Sequence, residues 1–230
     1  MRITKAKRSL SRRADIESPA EHDIARVIRS RFPVEPVRSA PEIRLHRGGP
    51  NSGLSRLAEA DAAFGNPYWA HVWGGGLALA RHVLARPTCV AGKRVLDLGT
   101  GSGLVAIAAA MAGARRVIAA DVDRYAVVAA ELNAAINGVR IETLLEDLTA
   151  GPAPDVDIVL VGDLFYEADL ALRVAVFLDR CVAAGVSVLV GDPRRAFLPM
   201  ERLELVAEYP GGDFGSGPDD VAMNAVFVFG

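Results

Sequence analysis

The chain has 230 residues, 51% of them apolar, and 26 Lys and Arg against 28 Asp and Glu, for a net charge of −2. That length can bury one substantial core, and the balance is that of an ordinary globular protein, which excludes disordered and fibrous classes. A dedicated nucleic-acid binder would carry a basic footprint, and a membrane span would need a longer apolar run, so neither nucleic acid nor a membrane is an expected partner.

Residues Met1 to Arg13 are rich in Lys and Arg and contain no acid. They lack the apolar stretch of a secretory signal and read as a basic tail or, alternatively, an organelle transit segment. The expected location is the cytoplasm, or the mitochondrial matrix on the second reading. Cys89 and Cys181 form no metal spacing and are expected as free thiols in a reducing compartment. A monomer is expected. Ser18-Pro19-Ala20-Glu21 has the form of a capping box, and Ile24, Val27, Ile28 and Phe32 follow at helical spacing, so a helix is expected from Pro19 to Arg31. The prolines between Phe32 and Pro41 predict an extended connector. A short strand over Ile43 to His46, a loop over Arg47 to Gly53 and a short helix over Leu54 to Phe64 come next. Gly65-Asn66-Pro67 then breaks the chain before the aromatic residues Tyr68, Trp69 and Trp73. We divide the chain at that break into a tail, helix and connector (1–66) and a main domain (67–230).

Gly74-Gly75-Gly76 is expected to leave room for something flat beside Trp73, with a helix over Leu77 to Ala85. A regular alternation follows. Strands are expected at Arg94–Leu98, Arg116–Ala120, Arg140–Leu144, Asp155–Val161 and Val186–Val190. Helices fit between them at Leu104–Ala112, Arg124–Asn137 and Ala168–Ala183. This pattern implies βαβ units and a parallel sheet covered on both faces. Leu203–Tyr209 and Val221–Phe229 are strand-like with no helix between them, so they pair antiparallel and close the sheet with a reversed edge. The expected fold is a Rossmann-like doubly wound seven-stranded sheet with an antiparallel terminal strand and an N-terminal helical extension.

Asp97-Leu98-Gly99-Thr100-Gly101-Ser102-Gly103 lies between the first strand and a helix. Glycines there allow a tight turn and close approach of a ligand, and a helix N-terminus offers free N–H groups beside it. Leu104 stands where a dinucleotide fingerprint carries its third glycine, which turns the reading away from a dehydrogenase. Asp121, at the end of the second strand, is placed to accept hydrogen bonds from ribose hydroxyls, while Asp123 is the better helix cap. Glu146-Asp147, after the third strand, can accept from the exocyclic amine of a purine or be a solvated acidic turn. Gly162-Asp163-Leu164-Phe165-Tyr166, after the fourth, supplies an acid and an aromatic pair. These can hold and orient an amine, or be a capping Asp with two core aromatics. The histidines His22, His46, His71 and His82 make no metal-binding pattern, and no metal is expected.

These residues resemble the class I seven-stranded methyltransferases that use S-adenosylmethionine. Within that superfamily they are similar to the lysine methyltransferases grouped as methyltransferase family 16. The likeness rests on Asn66-Pro67-Tyr68-Trp69-Ala70, Trp73-x-Gly75-Gly76, Gly162-Asp163-Leu164-Phe165-Tyr166 and Gly191-Asp192-Pro193, and runs from about Pro41 to Tyr209. Gly74 replaces the proline usual in the family, and Ser102 stands where a cysteine is common. The resemblance implies S-adenosylmethionine as cofactor, bound by Trp73, Asp97, Gly99, Thr100, Gly101, Gly103, Asp121, Asp147 and Gly162. Asp163, Phe165 and Tyr166 are the implied catalytic residues. It implies methyl transfer to a protein lysine, with the beta subunit of electron transfer flavoprotein as the expected partner. A small-molecule amine N-methyltransferase and a non-catalytic binding protein are the alternatives. A nucleic-acid amino-methyltransferase is disfavoured, because the segment after the fourth strand lacks the paired prolines usual there.

Overall fold

In a computed structural model, residues 21–49, 52–54, 64, 66–212 and 222–230 are described. The basic segment 1–13, the capping box up to residue 20 and most of the helix expected over 54–64 lie outside them. Helix α1 (Glu21–Arg31) buries Ile24 and Ile28. The stretch read as a connector instead contains β1 (Val34–Val37) and the start of β2 (Ala40–His46), which includes the strand expected over Ile43 to His46, and the two strands pair as a hairpin. Proline restricts the backbone toward extended geometry, and here a partner strand turns that extension into pairing. Pro36 sits just before the irregularity that ends the regular register of the pair.

The main sheet has seven strands: β3 (Arg94–Leu98), β4 (Arg116–Asp121), β5 (Glu142–Leu145), β6 (Ile158–Gly162), β7 (Ser187–Asp192), β8 (Leu203–Gly211) and β9 (Ala222–Phe229). Their order across the sheet is β5-β4-β3-β6-β7-β9-β8. The first five are parallel, and β9 runs against both its neighbours. The reversed strand is therefore not the edge itself; it sits inside, and β8 forms the edge. Strands β3 and β6 are neighbours at the centre of the sheet, so the chain switches direction of winding between them. Ligands of open α/β sheets bind outside the carboxyl ends of strands at that switch.

Helices α2 (Gly74–Ala85), α3 (Leu104–Met111), α4 (Arg124–Ile136) and α5 (Ala168–Ala183) complete the fold. The continuous apolar run Ile158-Val159-Leu160-Val161 divides between two cores, as period-two geometry requires. Ile158 and Leu160 join α2, α3 and the hairpin residues Val37, Ile43 and Leu45 on one face. Val159 and Val161 join Val174, Phe177 and Leu178 of α5 on the other. A third cluster packs Ile24, Ile28, Phe32, Phe64 and Trp69 against Tyr125, Val128 and Ala129 of α4.

The three glycines after Trp73 correct the sequence reading. They form the first turn of α2, in which Gly74 and Gly75 pack against other strands and Gly76 borders the cavity together with Trp73. A methyl group at Gly75 would run into the Gly191 carbonyl oxygen, and one at Gly74 into the Asn224 side chain. The glycines bring the helix onto the backbone of β7 and the Asn224 side chain of β9. That contact positions the end of α2 at the carboxyl edge of the sheet.

Candidate active site

A cavity of about 1080 Å³ opens at that edge, between the β3–α3 loop, the ends of β4 to β6 and the segment before α2. The loop begins where the Gly99 and Thr100 N–H groups both donate to the Ala120 carbonyl (2.9 and 3.0 Å). Gly101 has a φ of 52°, and a Cβ there would meet nothing closer than the Trp69 Cα at 3.8 Å. The loop backbone is thus open to the cavity. Gly103 (φ 83°) serves a different end. Its missing side chain lets α3 close on Ala130 of α4, and it does not line the cavity.

Asp97 is buried, and its Oδ2 accepts from the Thr100 hydroxyl (2.5 Å) and the Ala106 N–H (3.0 Å). Burial pushes its carboxyl up to about 7, against the opposing effect of those two donors. One N–H at the start of α3, which the sequence suggested was open to a ligand, is therefore already met by the protein's own acid. Asp121 accepts from the Gly101 N–H and the Asp123 N–H, both at 2.9 Å. It ties the loop to β4 while facing the cavity. Burial raises its carboxyl above the usual range. Asp123 caps α4 through the Tyr125 N–H (2.8 Å), as expected. Asp147 accepts from the Thr149 N–H and hydroxyl and pairs with Arg173 at 3.1 Å. These donors, the Thr149 hydroxyl foremost, hold its carboxyl below its ordinary value.

The opposite wall is built by Asp163, which adopts the left-handed backbone region (φ 59°). Its carboxylate accepts from the Gly75 N–H (3.1 Å) and Gly76 N–H (2.6 Å) at the start of α2 and pairs with Arg195 at 2.8 Å. A carboxylate at a helix N-terminus meets unsatisfied N–H groups and the positive end of the helix dipole. Trp73 donates from its indole N–H to the Tyr68 carbonyl (2.9 Å), and the Tyr68 ring lies 5.6 Å from Trp73 and 5.7 Å from Tyr166. Among the aromatic residues, Trp69 is buried against Tyr125 and also borders the cavity, while Tyr68, Trp73 and Tyr166 form a wall of it.

Of the residues singled out in the sequence, Trp73, Asp97, Gly99, Thr100, Gly101, Asp121, Asp147, Gly162, Asp163 and Tyr166 converge on this cavity. Gly103 does not. Phe165 does not either: it is fully buried with Val161, Phe177 and other residues under the sheet. Tyr166, by contrast, is exposed at the cavity. Sequence reasoning missed Arg195, Arg173 and His71, which also line the space. Arg195 follows the Gly191-Asp192-Pro193 word by two residues, and that word was the one available signal. Burial, with Arg47 nearby, lowers the His71 pKa.

The lining carries Asp97, Asp121, Asp123, Glu146, Asp147, Asp163 and Glu167 against Arg124, Arg173 and Arg195. A wall with this excess of carboxylates suits a ligand bearing hydroxyls and positive charge and disfavours a diphosphate. Among the described residues, no group of His, Cys, Asp and Glu is arranged to hold a metal ion, and no helix is long and apolar enough to cross a membrane.

Comparison with known proteins agrees with this geometry. The family model described as ribosomal protein L11 methyltransferase (PrmA) matches residues 84–164. An electron transfer flavoprotein beta subunit lysine methyltransferase homolog of Caenorhabditis elegans is 31% identical over 185 residues, covering 74% of this chain and 75% of that protein. The chain belongs to the electron transfer flavoprotein beta subunit lysine methyltransferase family. The family's rat member is 43% identical over 134 residues, covering 57% of this chain and 52% of the rat protein. This chain spans about half the length of such vertebrate family members. A 16S rRNA methyltransferase of T. thermophilus, solved with AdoMet and guanosine, shares the fold, with a TM-score of 0.54 at 20% identity over 86% of this chain and 50% of that one. The residues matched by the family model, 84–164, include the glycine loop, Asp121, Asp147 and Asp163 of the cavity.

Proposed function

We propose that this protein binds S-adenosylmethionine in the cavity and transfers its methyl group to a lysine amine, with the beta subunit of electron transfer flavoprotein as the protein acceptor. The observation that carries the reading is the meeting of two halves in one cavity. An open glycine loop with Asp121 lies on one side, and Asp163 with the Tyr68–Trp73–Tyr166 wall lies on the other. The acceptor is named from family membership, and the site's chemistry agrees with an amine.

The residues present fit the cofactor. Gly99 to Gly101 offer backbone close to the ligand, and Asp121 offers carboxylate oxygen to ribose hydroxyls. Leu145 and Leu148 flank the acids after β5 and offer apolar surface for a flat base. When bound, S-adenosylmethionine would supply an electrophilic methyl on a sulfonium whose leaving group is a neutral thioether, and the methylammonium product would give up its proton to solvent outside the channel. The protein's part is placement. Holding both reactants in line converts a bimolecular encounter into an intramolecular one, which supplies much of the rate. The aromatic wall confines the amine and excludes water. The attacking amine must be neutral, and a lysine at pH 7 lies about 3.4 units below its pKa, a penalty of about 4.6 kcal/mol. A desolvated channel next to a sulfonium charge lowers that penalty.

The test is incubation of the protein with radiolabelled methyl donor and purified electron transfer flavoprotein. Label on lysine of the beta subunit supports the reading. Label confined to small molecules in a cell extract replaces it with a small-molecule amine methyltransferase. Binding of the donor with no transfer to any acceptor makes the protein a scaffold.

A further inference from the structure

Among the described residues, two besides glycine adopt the left-handed backbone region, Asp163 (φ 59°) and Arg194 (φ 70°). They lie on different loops, after β6 and after β7, and both serve one ion pair. The turn at Arg194 is fixed when the Arg195 N–H donates to Asp192 Oδ1 at 2.7 Å. Arg194 sends its own guanidinium outward to Glu208 of β8 at 2.8 Å. The turn carries Arg195 back into the cavity, where it reaches Asp163 Oδ1 at 2.8 Å and lies over the Trp73 ring at 5.7 Å. Strained backbone persists only where the surroundings over-determine it, and its clustering around one contact points to a functional demand.

The contact has a chemical consequence. A carboxylate beside an aromatic wall is a good receptor for an alkylammonium ion. In this cavity that receptor already holds a cation, because the Arg195 guanidinium occupies both the carboxylate and the Trp73 face. Asp163 also accepts from the Gly75 and Gly76 N–H groups, one on each carboxylate oxygen. A lysine that entered protonated would meet a guanidinium, not an uncompensated acid.

We propose that Arg195 is a positioning residue of the acceptor side, which fixes the Asp163 carboxylate and cancels its pull on an ammonium ion, so that the acceptor lysine is received as the neutral amine. The proposal rests on the methyltransferase reading given above. It turns Asp163 from a binder of charged lysine into a neutralised wall of the channel. Among the described residues, the charged and titratable groups around Arg195 include Asp192, which interacts with it, and His71, Tyr68, Tyr166, Glu167, Arg173 and Asp121, which line the same cavity.

The experiment is steady-state methyl transfer to the electron transfer flavoprotein beta subunit, at saturating donor, across about pH 6.5 to 10. In Arg195→Gln the acid limb of kcat is expected to move up by about one pH unit. The loss is then about tenfold at pH 7 and closes at alkaline pH, while KM for the acceptor does not rise. Arg195→Lys keeps the charge and brings the limb back. Arg195→Met, which keeps an apolar stem on Trp73, is the second neutral variant should Gln not fold. Combining Asp163→Asn with Arg195→Gln removes both charges and returns the limb toward the wild-type position, although turnover is lower. Asp192→Asn keeps an oxygen acceptor for the Arg195 N–H and removes that titration, and adding Arg195→Gln to it still shifts the limb. A loss equal at every pH, or a limb that Lys does not restore, overturns the proposal and leaves Arg195 a structural tether, with the methyltransferase reading intact. Absence of transfer by the wild-type protein at any pH overturns the methyltransferase reading itself.

Discussion

Two aspartates at the cavity show how one residue type is put to different uses. Asp97 is fully enclosed, and burial holds its carboxyl up at about 7. In the unfolded chain the same group titrates in the ordinary carboxylate range. Between those two values the folded state keeps a proton that the unfolded state has lost, so stability falls as pH rises through the window and levels off above it. Asp123 and Asp192, each raised by burial to about 6, slope the same way. Urea melts of Asp97→Asn should therefore show a flatter dependence than the wild type, by on the order of 3 kcal/mol between about pH 5 and pH 8. Asp163 is held at the start of α2 and paired with Arg195, so its conservative replacement tests placement more than charge loss. Asp163→Asn should lower transfer by about a hundredfold or more, while titration with the donor gives an affinity close to wild type. An equal loss of donor binding would move Asp163 out of the acceptor half. Both residues were visible in the sequence as acids, Asp97 near the end of the first expected strand and Asp163 just after the fourth. Their partners were not, because Thr100 is a neighbour in sequence but Gly75 and Arg195 are 88 and 32 residues from Asp163.

At the scale of elements, the helices and strands of the α/β body were legible because periodicity and glycine turns mark them directly. Helix α5 begins and ends where the pattern places it. The start of α2 was not legible. Three consecutive glycines have poor helix propensity and read as a loop, yet contact with β7 makes helix there the better solution. Gly75 and Gly191 each lie where the other's backbone leaves no room for a side chain. Gly75→Ala should therefore destabilise the protein by about 3 kcal/mol or more by overpacking, even though alanine is the better helix former. A thermal melt checks this, and an unchanged or raised Tm would mean that α2 stands off the sheet. The same contact holds the Gly75 and Gly76 N–H groups against Asp163, so the element that looked like a ligand gap sets the position of a site residue instead. The hairpin of β1 and β2 was hidden for a related reason: local sequence gave extension, and only the partner strand made it a sheet.

For the whole molecule, Asn133 joins parts that are distant in the chain. It is fully buried on α4, accepts from the His46 N–H of β2 at 2.7 Å and donates to the Ser102 carbonyl of the glycine loop at 2.8 Å. Nothing in its sequence context distinguishes it from a solvent-facing helical asparagine. Asn133→Ala leaves a buried donor and a buried acceptor unmet, an expected cost of about 3 kcal/mol. Because one of them belongs to the loop, weaker donor binding should accompany the lower Tm; a stability loss with unchanged affinity would show that the loop holds its shape without this tie. The order of the sheet carries a different consequence. Strand β9, the last in chain order, lies between β7 and β8. During synthesis on the ribosome, β7 is left with an open edge and β8 has no neighbour to join until residues 222–229 emerge. The nascent chain can assemble its five parallel strands early, but it must keep that edge from other nascent chains until its final strand is inserted.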